Sequence, residues 1–347
     1  MSTTTRNTLV QRARALVAVP AVLALGLSLA ACTRAGGGSE SDGVVIGQSI
    51  PTLDNPWYAS FSQGSKDMAA ALGVELNQVT NPASTAYDPG AQVTAIENLM
   101  AQRPDVIQID PTSSDAINGA IEEARSADIP VVTDGITVTT DVDASVIADN
   151  KQGGKLAGEY VAKALPDGGD VAVLEGTPGR DIVTQRQVGF EEGLGSNPKA
   201  KIVSSQIANL DRSEGQTVTE NILQANQGLS ALWGASDTMA LGGLEALKSR
   251  KLAGDVVLGG FDGTPEAFGA IKAGTMAFTI DQVPYEMGAT AIALAYLIAT
   301  DGEVDAATVL PTQLVDASNV DDYLANVDQK NKATLQKVVD TYSLETK

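Results

Sequence analysis

Asn55, Trp57 and Tyr58 stand together in a polar turn, Ile50-Pro51-Thr52-Leu53-Asp54-Asn55-Pro56-Trp57-Tyr58, after a short apolar run (Val44, Val45, Ile46). An amide beside two aromatic rings suits a molecule with hydroxyls on its edge and C–H groups on its face. Acceptors recur farther along. Asp110 follows Ile109 at the end of an apolar run, Asp134 follows Thr133, and Ser236 and Asp237 come shortly after Trp233. Asp262 lies in Gly259-Gly260-Phe261-Asp262-Gly263-Thr264, past Leu258. A carboxylate accepts two hydroxyl donors, and such charge-assisted bonds are about twice as strong as neutral ones. Each position also has a structural use. Asp237, Ser113 and Thr264 stand where helix N-caps are wanted, and Asp134-Gly135 is a turn pair. For any single residue, capping explains the type as well as ligand contact does. Acceptors after several different strands are more than capping requires.

The elements that must position these groups alternate along the chain. Strand-length apolar runs occur at 44–47, 74–79, 106–109, 131–133, 171–174, 202–205, 231–233 and 256–258. Between them lie helical faces, such as Val93, Ile96, Leu99 and Met100, or Leu156, Ala157, Tyr160, Val161 and Ala164. Strands apolar on both faces, alternating with helices, predict an α/β fold whose parallel sheets are covered on both sides. Ligands of such sheets collect outside the carboxyl ends of the strands. The pattern pauses at 146–154, where Ile147-Ala148-Asp149-Asn150 leads into Gly153-Gly154. A crossing between two similar lobes is expected there. Residues 284–300 read as an apolar helix, 309–315 as a last strand, and 320–342 as a helical segment whose purpose the pattern does not reveal.

Composition removes several function classes. The formal charge is −20, which repels nucleic acid and anionic lipid head groups. With no histidine and one cysteine, neither an internal disulfide, a Cys/His metal site nor a histidine-assisted triad can be built. Arg6, Arg12 and Arg14 precede an apolar run over 15–30 that ends in Leu29-Ala30-Ala31-Cys32. That run is short for a bilayer span of roughly 20 residues and describes an export signal. Leu-Ala-Ala-Cys resembles the lipobox of bacterial lipoproteins. This implies removal of 1–31, lipidation of Cys32, and a flexible tether over 32–43. The expected place is outside the cytoplasmic membrane, periplasmic or on the cell surface, with the lipid as the only membrane anchor.

Taken in order, Asp54-Asn55-Pro56-Trp57-Tyr58, Asp110-Pro111-Thr112-Ser113-Ser114-Asp115, Ala148-Asp149-Asn150, Asp237-Thr238-Met239-Ala240-Leu241-Gly242 and Gly260-Phe261-Asp262-Gly263-Thr264-Pro265 resemble the ribose-binding protein group of ABC-importer receptors. The resemblance spans residues 44–315. It implies the type I periplasmic binding protein fold: two Rossmann-like lobes joined by crossings near 148–150, 282–283 and 312–313. The first lobe would comprise 44–148 and 283–312, the second 149–282 and 313–347, including a helical extension. It implies a monomeric receptor that closes on its ligand by a hinge, serves a membrane permease, and needs no cofactor or metal. Asn55, Trp57, Tyr58, Asp134, Asp262 and Gln282 match family ligand residues. Asp110 and Ser236 stand at asparagine positions, Thr184 and Gly135 at arginine positions, and Leu210 at an aromatic one. Arg180 and Arg186 lie near the second missing arginine without aligning to it.

The aligned set therefore carries three carboxylates and no placed arginine. It predicts a neutral sugar or polyol and disfavours sugar acids and phosphates, which would approach like charges in a low-dielectric cleft. A cationic or amino ligand is the competing reading, since acids with aromatic rings also make an amine cage. Presentation of a ligand to a membrane sensor stays open. A glycoside-processing enzyme would use two flanking carboxylates, for which Asp134 and Asp262 are the pair available, but nothing places a water or leaving group between them.

Overall fold

The computed structural model describes residues 43–347; the expected export signal, Cys32 and the tether as far as residue 42 lie outside the described residues. The first series of elements is β1 (Val45–Ile50), α1 (Pro56–Leu72), β2 (Glu75–Thr80), α2 (Pro89–Met100), β3 (Val106–Ile109), α3 (Asn118–Ser126), β4 (Val131–Asp134) and β5 (Ala144–Ala148). The second is α4 (Asn150–Ala164), β6 (Gly169–Glu175), α5 (Asp181–Leu194), β7 (Ala200–Ile207), α6 (Arg212–Ala225), β8 (Leu229–Gly234), α7 (Asp237–Ser249), β9 (Val257–Gly259), α8 (Pro265–Lys272) and β10 (Phe278–Asp281). The closing series is α9 (Pro284–Ala299), β11 (Ala307–Leu310), β12 (Gln313–Asp316), α10 (Val320–Leu324) and α11 (Val327–Thr341).

The strands form two sheets, ordered β11-β5-β4-β3-β1-β2 and β12-β10-β9-β8-β6-β7. Among the described residues every strand pairing is parallel except that of β12 with β10, an antiparallel edge. Both lobes are α/β with helices on the sheet faces. The chain passes between sheets after β5, after β10 and between β11 and β12. These passages lie side by side: Asp149 N donates to Leu310 O at 3.0 Å and Thr312 Oγ1 to Asp149 O at 3.4 Å.

Two expectations are corrected. Residues 309–315 are two strands in different sheets, because Pro311 has no N–H to continue a ladder and turns the chain. Residues 313–347 do not all belong to the second lobe. α10 packs there, with Lys272 paired to Asp321 at 2.6 Å and Tyr323 against Phe268 at 5.1 Å. After Asn326, which takes a left-handed φ of 53°, the chain returns to the first lobe. There Val338, Val339 and Leu344 join the core that contains Trp57 and Phe61, and Lys347 N donates to Ala71 O. The apolar face of α11 thus covers α1 and α9.

The second lobe is held tightly where α4 crosses α5. A Cβ on Gly154 would come within 2.1 Å of Arg186 O, one on Gly158 within 2.1 Å of Phe190 O, and one on Gly189 within 2.1 Å of Lys151 O. Backbones touch only because these residues are small. That contact fixes the height of α5 and hence of Arg186 above the strand ends. Gly154→Ala is expected to force the helices apart at a cost of at least ~2 kcal/mol, read as a lowered melting temperature.

Candidate ligand-binding cleft

Between the lobes, at the carboxyl ends of both sheets, lies a narrow cavity of about 40 Å³. The first lobe contributes Asn55, Trp57, Tyr58, Tyr87, Asp110 and Gly135. The second contributes Arg180, Ile182, Arg186, Leu210, Ser236 and Asp262, with Gln282 at the crossing. Of the ligand residues expected from sequence, Asn55, Trp57, Tyr58, Asp110, Ser236, Asp262 and Gln282 line this cavity. Asp134 stands one layer behind Asp110. Thr184 does not enter: it is exposed on α5, whose inward face is set by Ile182, Arg186 and Phe190 at helical spacing.

On the first lobe, Asn55 caps α1, its Oδ1 accepting from Trp57 N at 2.9 Å, while its Nδ2 approaches Tyr87 OH at 3.4 Å. The cap and Pro56 at the helix start aim Trp57 and Tyr58 into the cleft. Trp57 lies parallel to Phe61 with centroids 5.5 Å apart and meets Tyr58 edge-on at 4.9 Å. Its indole Nε1 is buried without an acceptor among the described residues. Tyr58 OH donates to Asp110 Oδ1 at 3.2 Å.

Asp110 and Asp134 form a carboxyl pair. A ladder of amides, buried at Gln48 and Gln108, leads to it: Gln78 donates to Gln48, Gln48 to Gln108 at 2.7 Å, and Gln108 to Asp134 Oδ1. Register across β2, β1 and β3 makes these glutamines neighbours. Asp134 Oδ2 is buried and meets no donor among the described residues, so the pair closes only if one carboxyl keeps its proton. That one is Asp134, held well above the usual carboxylate range by burial and by the charge of Asp110. Burial also raises Asp110, to about 6, against the pull of Arg180.

On the second lobe, Asp262 adopts φ 128°, an uncommon backbone for a non-glycine residue, and this aims its carboxylate inward. Its Oδ1 accepts from Gln282 Nε2 at 2.6 Å and from Arg186 Nη1 at 3.3 Å. Arg186 also lies 4.0 Å over the ring of Phe261. Ser236 caps α7 through Met239 N. Asp237 stands behind the site, its carboxylate taken up by Thr264 N at 2.8 Å and by the hydroxyls of Thr264 and Thr279. Both arginines that the sequence leaves unplaced line the cleft. Arg180 and Arg186 are 4% and 3% exposed, and lie 3.9 Å from Asp110 and 3.3 Å from Asp262 respectively.

Raised carboxyls bind protons in the folded chain that the unfolded chain releases above about pH 4. Their stabilising effect is complete below that pH. It is lost as pH rises through about 6 for Asp110 and Asp262, 7 for Asp281 and 8 for Asp237. The melting temperature is therefore expected to fall between pH 5 and pH 8.5. Asp134→Asn, which mimics the protonated carboxyl, should melt above the wild type at pH 8.5 and show a shallower slope. A steeper slope in that variant would contradict the proton assignment.

A profile of the periplasmic binding protein domain matches residues 46–303. The chain belongs to the periplasmic binding protein family. The ribose import binding protein of Salmonella typhimurium is 34% identical to this periplasmic binding protein over 77% of the chain and 88% of the relative. The ribose import binding protein of Bacillus subtilis is 36% identical over 70% and 77%. Among solved structures, an ABC transporter solute-binding protein of Actinobacillus succinogenes with bound D-allose superposes with a TM-score of 0.77 at 31% identity, covering 81% of this chain and all of the other. The Caulobacter myo-inositol binding protein bound to myo-inositol gives 0.75 at 28%, covering 80% and 95%.

Two cleft residues of this periplasmic binding protein carry no mark in the sequence, Tyr87 and Ile182, and the sequence leaves Arg180 unplaced. Arg186 was noticed but not placed. The helical phase of Ile182, Arg186 and Phe190 carries the signal that puts Arg186 inside. Tyr87 lies in a connection that follows no strand end directly, and nothing in the local pattern marks it.

Proposed function

We propose that this protein captures a neutral sugar or polyol between its lobes by hinge closure and delivers it to the permease of an ABC importer. The observation that carries this reading is the pairing of charges in the cleft, Asp110 near Arg180 and Asp262 with Arg186. A hydroxyl both donates and accepts, so it satisfies a carboxylate and a guanidinium together. The aromatic wall of Trp57 and Tyr58 offers a face for C–H groups. The amine reading weakens, because Asp134 stands behind the cavity wall and the two acids that line it already face cations. The relatives that import ribose, and the similar structures holding D-allose and myo-inositol, support the same ligand class.

Capture without chemistry is the economical role, since each cleft carboxylate is engaged by its own donors. Family membership favours a place outside the cytoplasmic membrane. The lipobox-like Cys32 supports anchoring there by lipid, and the receptor acts as a monomer. Titration calorimetry of the purified protein against D-ribose, D-allose, myo-inositol, a diamine and a sugar acid tests the reading. Saturable binding of at least one neutral ligand is expected, with none for the charged pair. Binding of the diamine alone would overturn it.

A further inference from the structure

The two cleft arginines differ in how their nitrogens are used. Arg186 Nε donates to Asn150 Oδ1 at 2.8 Å, Nη1 to Ala235 O at 2.8 Å and Asp262 at 3.3 Å, and Nη2 to Gln282 Oε1 at 2.9 Å. All of these partners belong to the second lobe or its edge. Arg180 is equally buried, yet among the described residues its Nε and Nη1 have no partner. Only Nη2 is engaged, with Tyr58 OH at 3.4 Å and Asp110 Oδ1 at 3.9 Å. A buried guanidinium with two unsatisfied nitrogens is costly, and this one lines the cavity.

Its placement is also unusual. Arg180 precedes α5 in the second lobe, but its neighbours Tyr58, Tyr87 and Asp110 belong to the first. The backbone beside it is tied across the cleft. Ser114 N donates to Gly179 O at 3.2 Å, Asp181 N to Ser114 Oγ at 3.3 Å, and Thr137 N to Asp181 Oδ1 at 3.2 Å. Ile182 and Val183 complete an apolar contact with Ile136. Gly135 also lines the cavity, with φ +72°, and a Cβ there would come within 2.7 Å of Asp110 Oδ2, so only glycine fits against that carboxylate.

We propose that Arg180 is a specificity-determining ligand residue, whose Nε and Nη1 donate to a ligand oxygen that itself donates to Asp110. This rests on the reading of the cleft as a sugar or polyol site. A hydroxyl meets both demands. An ammonium, having no lone pair, meets only the second and leaves the guanidinium unsatisfied. Because Arg180 reaches Asp110 from the opposite lobe, the contact exists only when the cleft is shut, so ligand recognition and closure are coupled there.

The test compares Arg180→Met, which keeps apolar bulk and removes the donors, with Arg186→Met. Affinities for D-ribose, D-allose and myo-inositol are measured by calorimetry, and melting temperatures without ligand. Arg180→Met should lose at least about 30-fold in affinity for whichever probe the wild type binds. Its ligand-free melting temperature should stay close to wild type, because its partners lie across an openable cleft. Arg186→Met should melt at least about 6 °C lower, or fail to fold, since it breaks a buried pair inside one lobe. Affinity within about threefold of wild type for Arg180→Met would overturn the proposal. So would a melting loss in that variant matching that of Arg186→Met. If the wild type binds none of the probes, the sugar reading fails, and the melting comparison still decides whether Arg180 is a brace or a free donor.

Discussion

Asp262→Ala is expected to weaken sugar binding by at least ~3 kcal/mol, more than a hundredfold. Two effects add. Ligand hydroxyls lose a charged acceptor inside a closed cleft, and Arg186, which lies 3.3 Å from Asp262, is left facing an uncompensated space. The second effect also touches stability, so Asp262→Asn is the companion variant. Its amide oxygen can still accept from Gln282 and Arg186 while the charge is gone, and a loss of ~2 kcal/mol in binding with little change in melting temperature is expected. Near-normal affinity in both variants, read by calorimetry, would remove Asp262 from the site.

Trp57→Ala should cost on two accounts. The ring is 6% exposed and belongs to the first-lobe core with Phe61, so truncation is expected to destabilise the protein by ~3–5 kcal/mol. It also strips the aromatic wall from the cavity, so affinity falls as well. Trp57→Phe separates the two: the stack on Phe61 and a flat face survive, while the buried Nε1 donor is lost. Melting temperature near wild type with moderately reduced affinity is expected for Trp57→Phe. An unchanged melting temperature in Trp57→Ala would place the ring outside the core.

Much of the fold was legible because burial on both faces makes strands such as Val106-Ile107-Gln108-Ile109 stand out, and because caps and prolines mark helix starts. β10 was hidden because Thr279 and Asp281 interrupt Phe278 and Ile280. Both are buried, Thr279 against Asp237 and Asp281 against Val283 N. The amide ladder through Gln48 and Gln108 was hidden for the same reason: glutamine reads as surface, and only cross-strand register reveals partners 60 positions apart. The acceptors of the site were visible as residues placed after strands. Its cations were named without a place, since Arg180 and Arg186 come from the start of a helix, and it is the glycine-mediated helix crossing that sets the height of Arg186. The amphipathic face of α11 was readable, but not which lobe it would cover.

The central claim is that the shut cleft holds an uncharged, hydroxylated molecule. A crystal structure of the protein grown with the tightest-binding neutral probe tests it most directly. The expected result is density for that molecule between Trp57 and Asp262, with its hydroxyls within hydrogen-bonding distance of Asp110, Asp262 and Arg180. Density for the probe elsewhere, with those three side chains turned away from it, would contradict the account.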